Sequence, residues 1–359
     1  MKAIVLSGGL GTRLRPLTCV TPKALLPLLN RPFLEYQLDL LKRCKINEIV
    51  FCLNYKPELF KKYFNKSKVR SPKSKIKINC VSEKFPLGTG GAVKNALRSK
   101  EISARGGSAF VGKEPVMILN GDVFTEVNLG NFLEFHKKKK SAVTILLTPV
   151  EDPTLYGLVE TDKTGKIKHF VEKPSLPVTS YQLPVTSYTI NAGIYLFEPE
   201  IFDYIPEGIN YSLEHGLFPL LLQKGLPLYG YIYNGYWLDI GTVEKYLQVH
   251  FDLMNRKVRC SELEIRDWRL GKGKLVVGKN TKIPHSVQVL GNVCVGKNCF
   301  LGGNVILKDC VILNNVFIGE GAKIENCAVG NNCKIESYAV LNPGTALGDG
   351  SVIRKYSRV

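Results

Sequence analysis

The residues with the plainest chemical purpose lie near the N-terminus. A short apolar run, Ala3–Leu6, leads into Gly8-Gly9-Leu10-Gly11-Thr12-Arg13-Leu14-Arg15-Pro16-Leu17-Thr18, and Pro22-Lys23 follows. Glycines placed directly after a strand let backbone N–H groups approach a phosphate closely. Gly8, Gly9, Gly11 and Thr12 therefore read as an anion-binding turn. No Gly-Lys-Ser/Thr follows, so this is not a Walker A loop, and Leu14 stands where a dinucleotide fingerprint needs its third glycine. What sets the segment apart is its cations, Arg13, Arg15 and Lys23. A planar guanidinium grips a polyphosphate with a fork of donors, and a lysine adds a point charge. A solvated basic turn is the bland alternative, but it leaves the glycines together with Pro16 and Pro22 without a purpose.

Two carboxylates complement those cations. Asp122 comes just after the apolar run Val116–Leu119, which puts it at the C-terminal edge of a sheet, where α/β proteins bind ligands. Asp239 follows Trp237-Leu238 in the same manner. Two such oxygen donors suit Mg²⁺, a hard cation that keeps phosphate and water in its shell. Spacing alone also allows each aspartate to cap a following element, Asp239 the helix beginning near Thr242.

The elements that must position these groups are legible as two patterns. Up to about residue 240, strand-length apolar runs (Ala3–Leu6, Glu48–Leu53, Ile76–Val81, Val116–Asn120) alternate with helical stretches (Phe33–Cys44, Asn131–Lys138). That alternation predicts a Rossmann-like α/β domain with a mostly parallel sheet. Thr242–Met254 reads as a connecting helix. After residue 275 an aliphatic side chain recurs every six positions, with two five-residue steps: 277, 283, 289, 295, 301, 307, 312, 318, 324, 329, 335, 341, 347 and 353. A helix would need a period near 3.6 and a flat strand a period of 2. Six fits a parallel β-helix of four to five coils, each hexapeptide forming one face. The expected division is a catalytic domain over 1–240, a connecting helix and linker over 241–274, and the β-helix over 275–359.

With these elements in place, the first domain resembles the sugar-1-phosphate nucleotidyltransferases. The resemblance runs from the Gly8–Lys23 signature through Pro86-Leu87-Gly88-Thr89-Gly90-Gly91, Leu119-Asn120-Gly121-Asp122 and Tyr156-Gly157. It continues through Val171-Glu172-Lys173-Pro174, Asn191-Ala192-Gly193 and Trp237-Leu238-Asp239-Ile240-Gly241. The hexapeptide tail is similar to the left-handed β-helix of many members, and the whole looks most like the mannose-1-phosphate guanylyltransferases.

The resemblance implies that a sugar-1-phosphate oxygen attacks the α-phosphorus of a nucleoside triphosphate and expels pyrophosphate, with Mg²⁺ held by Asp122 and Asp239. Arg13 and Lys23 match the residues that hold the triphosphate and stabilise the transition state. Lys173 matches a contact to the sugar phosphate, Glu172 one to sugar hydroxyls, and Gly157 and Asn191 the sugar pocket. Gly88 matches a backbone contact to the base. Glu83 stands where thymidylyl and uridylyl relatives commonly carry Gln. A carboxylate only accepts hydrogen bonds, which suits the adjacent N1–H and N2–H₂ donors of guanine. GTP and mannose 1-phosphate are thus the expected substrates. A manno-heptose 1-phosphate, or a thymidylyl or uridylyl transfer to glucose 1-phosphate, are the alternatives within the class. A non-catalytic regulatory homologue is the alternative outside it, and it tends to lose the cations and aspartates that are present here.

The formal charge is +18, with a pI near 9.4. Residues 56–77 carry nine Lys/Arg and one acid, and Lys137–Lys140 add four more cations. Neither stretch holds a motif residue, and neither interleaves aromatics closely enough for base stacking, so nucleic acid is not the expected partner. No run of 18 apolar residues marks a membrane span, and the N-terminal run is too short for a secretory signal. A cytoplasmic homo-oligomer assembled through the β-helix is expected. None of the ten cysteines has CxxC spacing, and they read as reduced core residues. A tandem heptapeptide over 176–189, Leu-Pro-Val-Thr-Ser-Tyr-Gln/Thr, separates the Glu-Lys-Pro and Asn-Ala-Gly motifs.

Overall fold

In chain order the strands are β1 (Lys2–Leu6), β2 (Pro27–Leu28), β3 (Arg31–Pro32), β4 (Glu48–Leu53), β5 (Lys77–Ser82), β6 (Val116–Asn120), β7 (Val123–Thr125), β8 (Val143–Val150), β9 (Gly157–Thr161), β10 (Ile167–Glu172), β11 (Tyr188–Phe197), β12 (Leu228–Ile232) and β13 (Trp237–Asp239). The helices are α1 (Phe33–Arg43), α2 (Pro57–Lys66), α3 (Gly88–Arg98), α4 (Leu129–Lys139), α5 (Phe218–Gln223) and α6 (Val243–Met254). The structure, a computed structural model, describes residues 1–66, 76–99, 112–175, 187–258, 266–268 and 273–359. Most of the tandem heptapeptide (176–186) and part of the basic stretch (67–75) lie outside the described residues. By contact the chain forms two compact units, Met1–Gly9 with Gln37–Trp237, and Leu10–Tyr36 with Leu238–Val359.

In the first unit β1 sits inside a nine-stranded sheet of order β10-β9-β11-β6-β1-β4-β5, with β8 beside β11 and β12 beside β8. Ala3, Ile4 and Val5 are wholly buried, as an apolar run covered on both faces must be. Strands β6, β1, β4 and β5 run parallel, whereas β11 runs antiparallel to β6, β8 and β9, so the sheet is mixed. The parallel half carries the crossover helices that the alternating pattern predicts. The antiparallel half follows from β11, whose pairing with β8 shifts register between Asn191 and Tyr195. That bulge contains Gly193 at φ +74, where an added Cβ would lie 2.7 Å from Asn120 Nδ2. Only glycine accepts both conditions, which accounts for the Asn-Ala-Gly motif.

In the second unit, β2 and β3 form a two-residue hairpin, and Thr242 caps α6 by accepting from Lys245 N. The C-terminal strands begin with β14 (Arg266–Trp268), β15 (Gly273–Val277), β16 (Gln288–Val295), β17 (Phe300–Leu301) and β18 (Ile306–Ile312). From β15 onward neighbouring coils pair in parallel. The six-residue period resolves into three ladders. One is Val277, Val295, Ile312, Val329 and Leu347. The second is Val289, Leu307, Ile324 and Leu341, and the third Leu301, Ile318, Ile335 and Ile353. With Ile283, all fourteen periodic residues belong to one apolar cluster. The first five-residue step, at Cys310, makes β18 a residue shorter than β16, and a register shift between Leu290 and Val293 absorbs it. Corner asparagines 280, 298, 315 and 332 take left-handed φ and hydrogen-bond in a ladder at 3.0–3.2 Å.

The nine described cysteines are unbridged, and seven of them are buried. Among the described residues no helix is long and apolar enough to cross a membrane. Ile318 lies at the middle of its ladder with no exposure. Ile318→Ala should lower unfolding free energy by about 2–5 kcal/mol. Chemical denaturation measures this, and a loss below 1 kcal/mol would mean that the coils can collapse around the gap.

Candidate active site

Nearly all of the motif residues lie at strand ends or in the turns that follow them. In the first unit β1 ends at Leu6, and Gly121 N donates to Leu6 O at 2.8 Å. A Cβ on Gly121 would collide with Leu6 O at 2.6 Å and Ser7 Oγ at 2.3 Å. The glycine thus lets β6 turn against the end of β1 and presents the half-buried Asp122 one residue later. Gln37, buried on α1, braces that turn by donating from Nε2 to Asn120 O (3.0 Å) and Val123 O (3.2 Å). Among the described residues, Ser7 Oγ and Asn120 Oδ1 are buried without a hydrogen-bond partner. Orphaned buried oxygens beside a carboxylate are costly unless a ligand satisfies them. Oxygen donors without thiolate or imidazole fit a hard cation such as Mg²⁺.

The glycines after β1 and before α3 differ in how closely they are packed. A Cβ on Gly8 would sit 3.3 Å from Asn54 Cβ and 3.7 Å from Glu83 Oε1, whereas one on Gly9 would meet nothing within 4 Å. Glu83 Oε2 accepts from Leu87 N at 3.1 Å and so braces the start of α3. Burial pushes the Glu83 carboxyl above its ordinary pKa, and the Leu87 bond partly offsets this. Gly88, at φ +70, has Tyr211 O 2.7 Å from where a Cβ would stand. The N–H groups of Gly90 and Gly91 are spent on Tyr211 O (2.8 and 3.1 Å), so these two glycines serve packing.

Gly157, Glu172 and Asn191 converge. A Cβ on Gly157 would lie 2.8 Å from Glu172 Oε2 and 3.3 Å from Asn191 Cβ. Asn191 Oδ1 accepts from Gly193 N (3.0 Å) and its Nδ2 donates to Tyr195 Oη (2.9 Å). Tyr195 donates to Glu214 Oε1 at 3.3 Å, while Glu214 Oε2 accepts from Thr89 (2.6 Å) and Ser212 (2.8 Å). Burial first, then the charge of Glu214, raises the Glu172 pKa, and Lys173 and His215 oppose the shift. Lys173 takes φ +47 directly after β10 and points into solvent, its Nζ 4.0 Å from Glu172. Tyr156 and Trp237 meet edge to face at 5.6 Å, and Trp237 Nε1 donates to Ala192 O. Sequence reasoning missed Gln37, Tyr195 and Glu214. Gln37 and Tyr195 carry no local signal, and Glu214 shows only the Ser212-x-Glu spacing of a helix start.

In the second unit, Gly11 takes φ +62, and Thr18 Oγ1 donates to its carbonyl at 2.7 Å. Thr12–Leu14 and Lys23–Leu25 are single 3₁₀ turns, with Thr12 and Arg13 exposed and Lys23 half-buried. Arg13 Nη2 and Asp239 Oδ2 both flank Gly241, 3.0 and 2.9 Å from where its Cβ would stand. Asp239 Oδ1 is ion-paired with Lys245, a cation that sequence reasoning did not single out. Thr242, not Asp239, caps α6. One oxygen of Asp239 is thus committed to a lysine and the other faces Gly241.

The family described as "Nucleotidyl transferase" matches residues 2–256, and that of the "EIF2B subunit epsilon LbH domain" matches residues 265–359. The chain belongs to the sugar-1-phosphate nucleotidyltransferases: an enzyme that forms a nucleotide sugar, with a Rossmann-like domain followed by a left-handed β-helix. It is similar to mannose-1-phosphate guanylyltransferase 1 of Arabidopsis thaliana (33% identity over 311 residues, 86% of this chain and 76% of that one). Mannose-1-phosphate guanylyltransferase of Mycobacterium tuberculosis is 32% identical over 84% of this chain and 76% of its own. Among solved structures, HddC from Yersinia pseudotuberculosis in complex with GMP-PN aligns with a TM-score of 0.54 at 25% identity, covering 70% of this chain and 99% of that chain.

Two outcomes follow from the site's chemistry. Gln37→Leu removes both bonds bracing the Asp122 turn, each worth about 0.5–1.5 kcal/mol. Turnover should fall while the Mg²⁺ concentration for half-maximal rate rises, and titration of Mg²⁺ against rate reads both. For Glu172, the folded protein holds its proton to higher pH than the unfolded chain does. Stability therefore declines as pH rises from the ordinary carboxylate range through the raised pKa. Glu172→Gln should flatten that decline, seen as a higher Tm at pH 7, while KM for the sugar phosphate rises about tenfold or more.

Proposed function

We propose that this enzyme transfers GMP from GTP to mannose 1-phosphate, releasing pyrophosphate and forming GDP-mannose. The observation that carries the reading is the 33% identity across 86% of the chain to a mannose-1-phosphate guanylyltransferase. Glu83 supports the choice of base, because its Oε1 lies near Gly8 of the loop and can accept from guanine donors. GMP-PN bound in the solved HddC protein points the same way.

A sugar-phosphate oxygen attacks the α-phosphorus, the bond to the bridging oxygen breaks, and pyrophosphate leaves. The nucleophile is already an anion, so the task is to gather several anions and stabilise an in-line transition state. Gly8, Gly9, Gly11 and Thr12 line the phosphates, and Arg13 and Lys23 neutralise them. Lys173 takes the sugar phosphate, and Glu172, Asn191 and Gly157 form the sugar pocket. Gly88 contacts the base through its backbone. Asp122 and Asp239 would hold Mg²⁺, which supplies charge neutralisation at the phosphates when bound. Lys245 would then move from Asp239 or share it.

In this reading residues 1–240 form the catalytic domain, 241–274 the connection and 275–359 the β-helix, and the enzyme acts in the cytoplasm as a homo-oligomer. The β-helix carries two stacked pairs of half-exposed or exposed aromatic rings, Phe300 on Phe317 (5.0 Å) and Tyr338 on Tyr356 (5.4 Å), which supports self-association through that domain.

A pyrophosphate-release screen with Mg²⁺, crossing four NTPs with mannose, glucose and manno-heptose 1-phosphates, tests the reading. The GTP and mannose 1-phosphate pair should give the highest kcat/KM. A better rate with another sugar or nucleotide would replace the assignment. Glu83→Gln should depress GTP use selectively, whereas equal loss with all four NTPs would sink the base-reading role.

A further inference from the structure

The loop that carries Arg13 and Lys23 packs with the β-helix in one compact unit, and its contacts there are specific. Downstream of Lys23, the hairpin β2–β3 turns through Leu29 and Asn30, both at positive φ (46° and 67°). A two-residue turn with both central residues left-handed ordinarily selects Asn-Gly, and a leucine in that conformation persists only where its surroundings hold it. The surroundings are α6 and β16. Tyr246 Oη donates to Pro27 O at 2.6 Å. His250, fully buried and pushed down to a pKa of about 3 by burial, is neutral. A single tautomer satisfies both of its contacts: Nε2–H donates to Pro27 O (3.2 Å), and Nδ1 accepts from Leu29 N (3.5 Å). At the hairpin tip Asn30 Nδ2 donates to Val295 O at 3.0 Å, on a core strand of the β-helix.

The upstream end is held as well. Pro16, three residues after Arg13, lies against Gly348 of a late coil, with its Cβ 3.1 Å from where a Gly348 Cβ would stand. Gly348 is not in the left-handed region, so the backbone does not require glycine there. What a side chain at 348 would displace is Pro16.

We propose that the β-helix is a positioning element for the triphosphate-binding loop, with Asn30 and Gly348 as positioning residues that act through Lys23 and Arg13. The inference rests on the reading that Arg13 and Lys23 hold the NTP. It assigns the β-helix a part in catalysis separate from self-association. A displacement on the order of 1 Å in groups that orient a reactant can cost about 100-fold in rate. A small push at Gly348 is therefore expected to be felt kinetically although it touches no substrate.

The test is a graded series in the full-length protein, Gly348→Ala, Gly348→Val and Asn30→Gly. The last keeps the left-handed backbone and removes only the amide. Gly303→Ala is the control on another coil, where the new methyl meets only Ser286 Oγ at 3.4 Å. The expected result is a stepwise fall in kcat/KM for the NTP, reaching about 10- to 100-fold in Gly348→Val. KM for the sugar phosphate should stay within about twofold and the Gly303→Ala control should match wild type. If Gly348→Val fails to fold, Gly348→Ala and Asn30→Gly carry the same comparison. NTP kinetics unchanged in all folded variants, with Arg13→Ala inactive, would overturn the positioning role and leave the loop assignment standing. Equal losses for both substrates would also overturn it, because a general structural defect would explain them. Full turnover in Arg13→Ala would overturn the loop assignment itself, and the positioning role with it.

Discussion

The close meeting of the ends of β1 and β6 is the constraint on which the first unit depends. Gly121 N donates to Leu6 O, and no Cβ fits between them. Parallel pairing brings both strands to the same edge of the sheet, with Leu6 opposite Asn120. The glycine-rich turn leaves from one strand and Asp122 from the other. The start of the glycine-rich turn and Asp122 are thereby brought to the same sheet edge without any long-range loop. The neighbouring strand β4 ends in register with β1, and β5 with β4. Glu83 thus emerges beside Gly8 through two consecutive parallel pairings. Sheet register, rather than loop structure, sets the spacing of these groups.

Electrostatics differs between the carboxylates of the two units. In the first unit Glu172 lies near Glu214, and burial together with the Glu214 charge raises the Glu172 pKa. Tyr195 answers part of that charge by donating to Glu214, and its own pKa is held well above the ordinary value. Donors and acceptors are thus preorganised among the protein's own groups. In the second unit the carboxylate Asp239 instead lies among cations, Lys245 and Arg13. Glu172 and Asp239 are about equally covered, with side-chain exposures of 13% and 14%, so the sign of the neighbouring charge, rather than depth, separates them.

The β-helix illustrates how a stack of coils serves as a platform. Its three aliphatic ladders and its asparagine ladder are repetitive, so most coils are interchangeable in energetic terms. The exceptions are functional candidates. Val295 accepts from both Gly278 N and Asn30 Nδ2, and Gly348 is flanked by Pro16. At these points an otherwise regular surface is fitted to one irregular partner, the loop 10–36.

Periodicity and local sequence were enough to determine several features of this protein. These include the strands β1, β4 and β6, the helix α1, and the fourteen-residue aliphatic register of the β-helix. All of these rest on backbone and burial patterns that repeat within a few residues, so neighbours in sequence carry the information. The glycine-rich signature and its cations were equally legible, because the backbone freedom of glycine and the fork of arginine are properties of the residues themselves. Other features arise only from contacts between residues far apart in sequence. Gln37 bridges Asn120 and Val123, and Glu214 joins Thr89 to Tyr195. The mixed character of the sheet depends on β11 returning beside β6, which strand-length runs do not reveal. The loop Leu10–Tyr36 groups with chain more than two hundred residues away because Pro27, Leu29 and Asn30 find their hydrogen-bond partners there. A sequence names the donors and acceptors, and only the folded chain decides which of them meet.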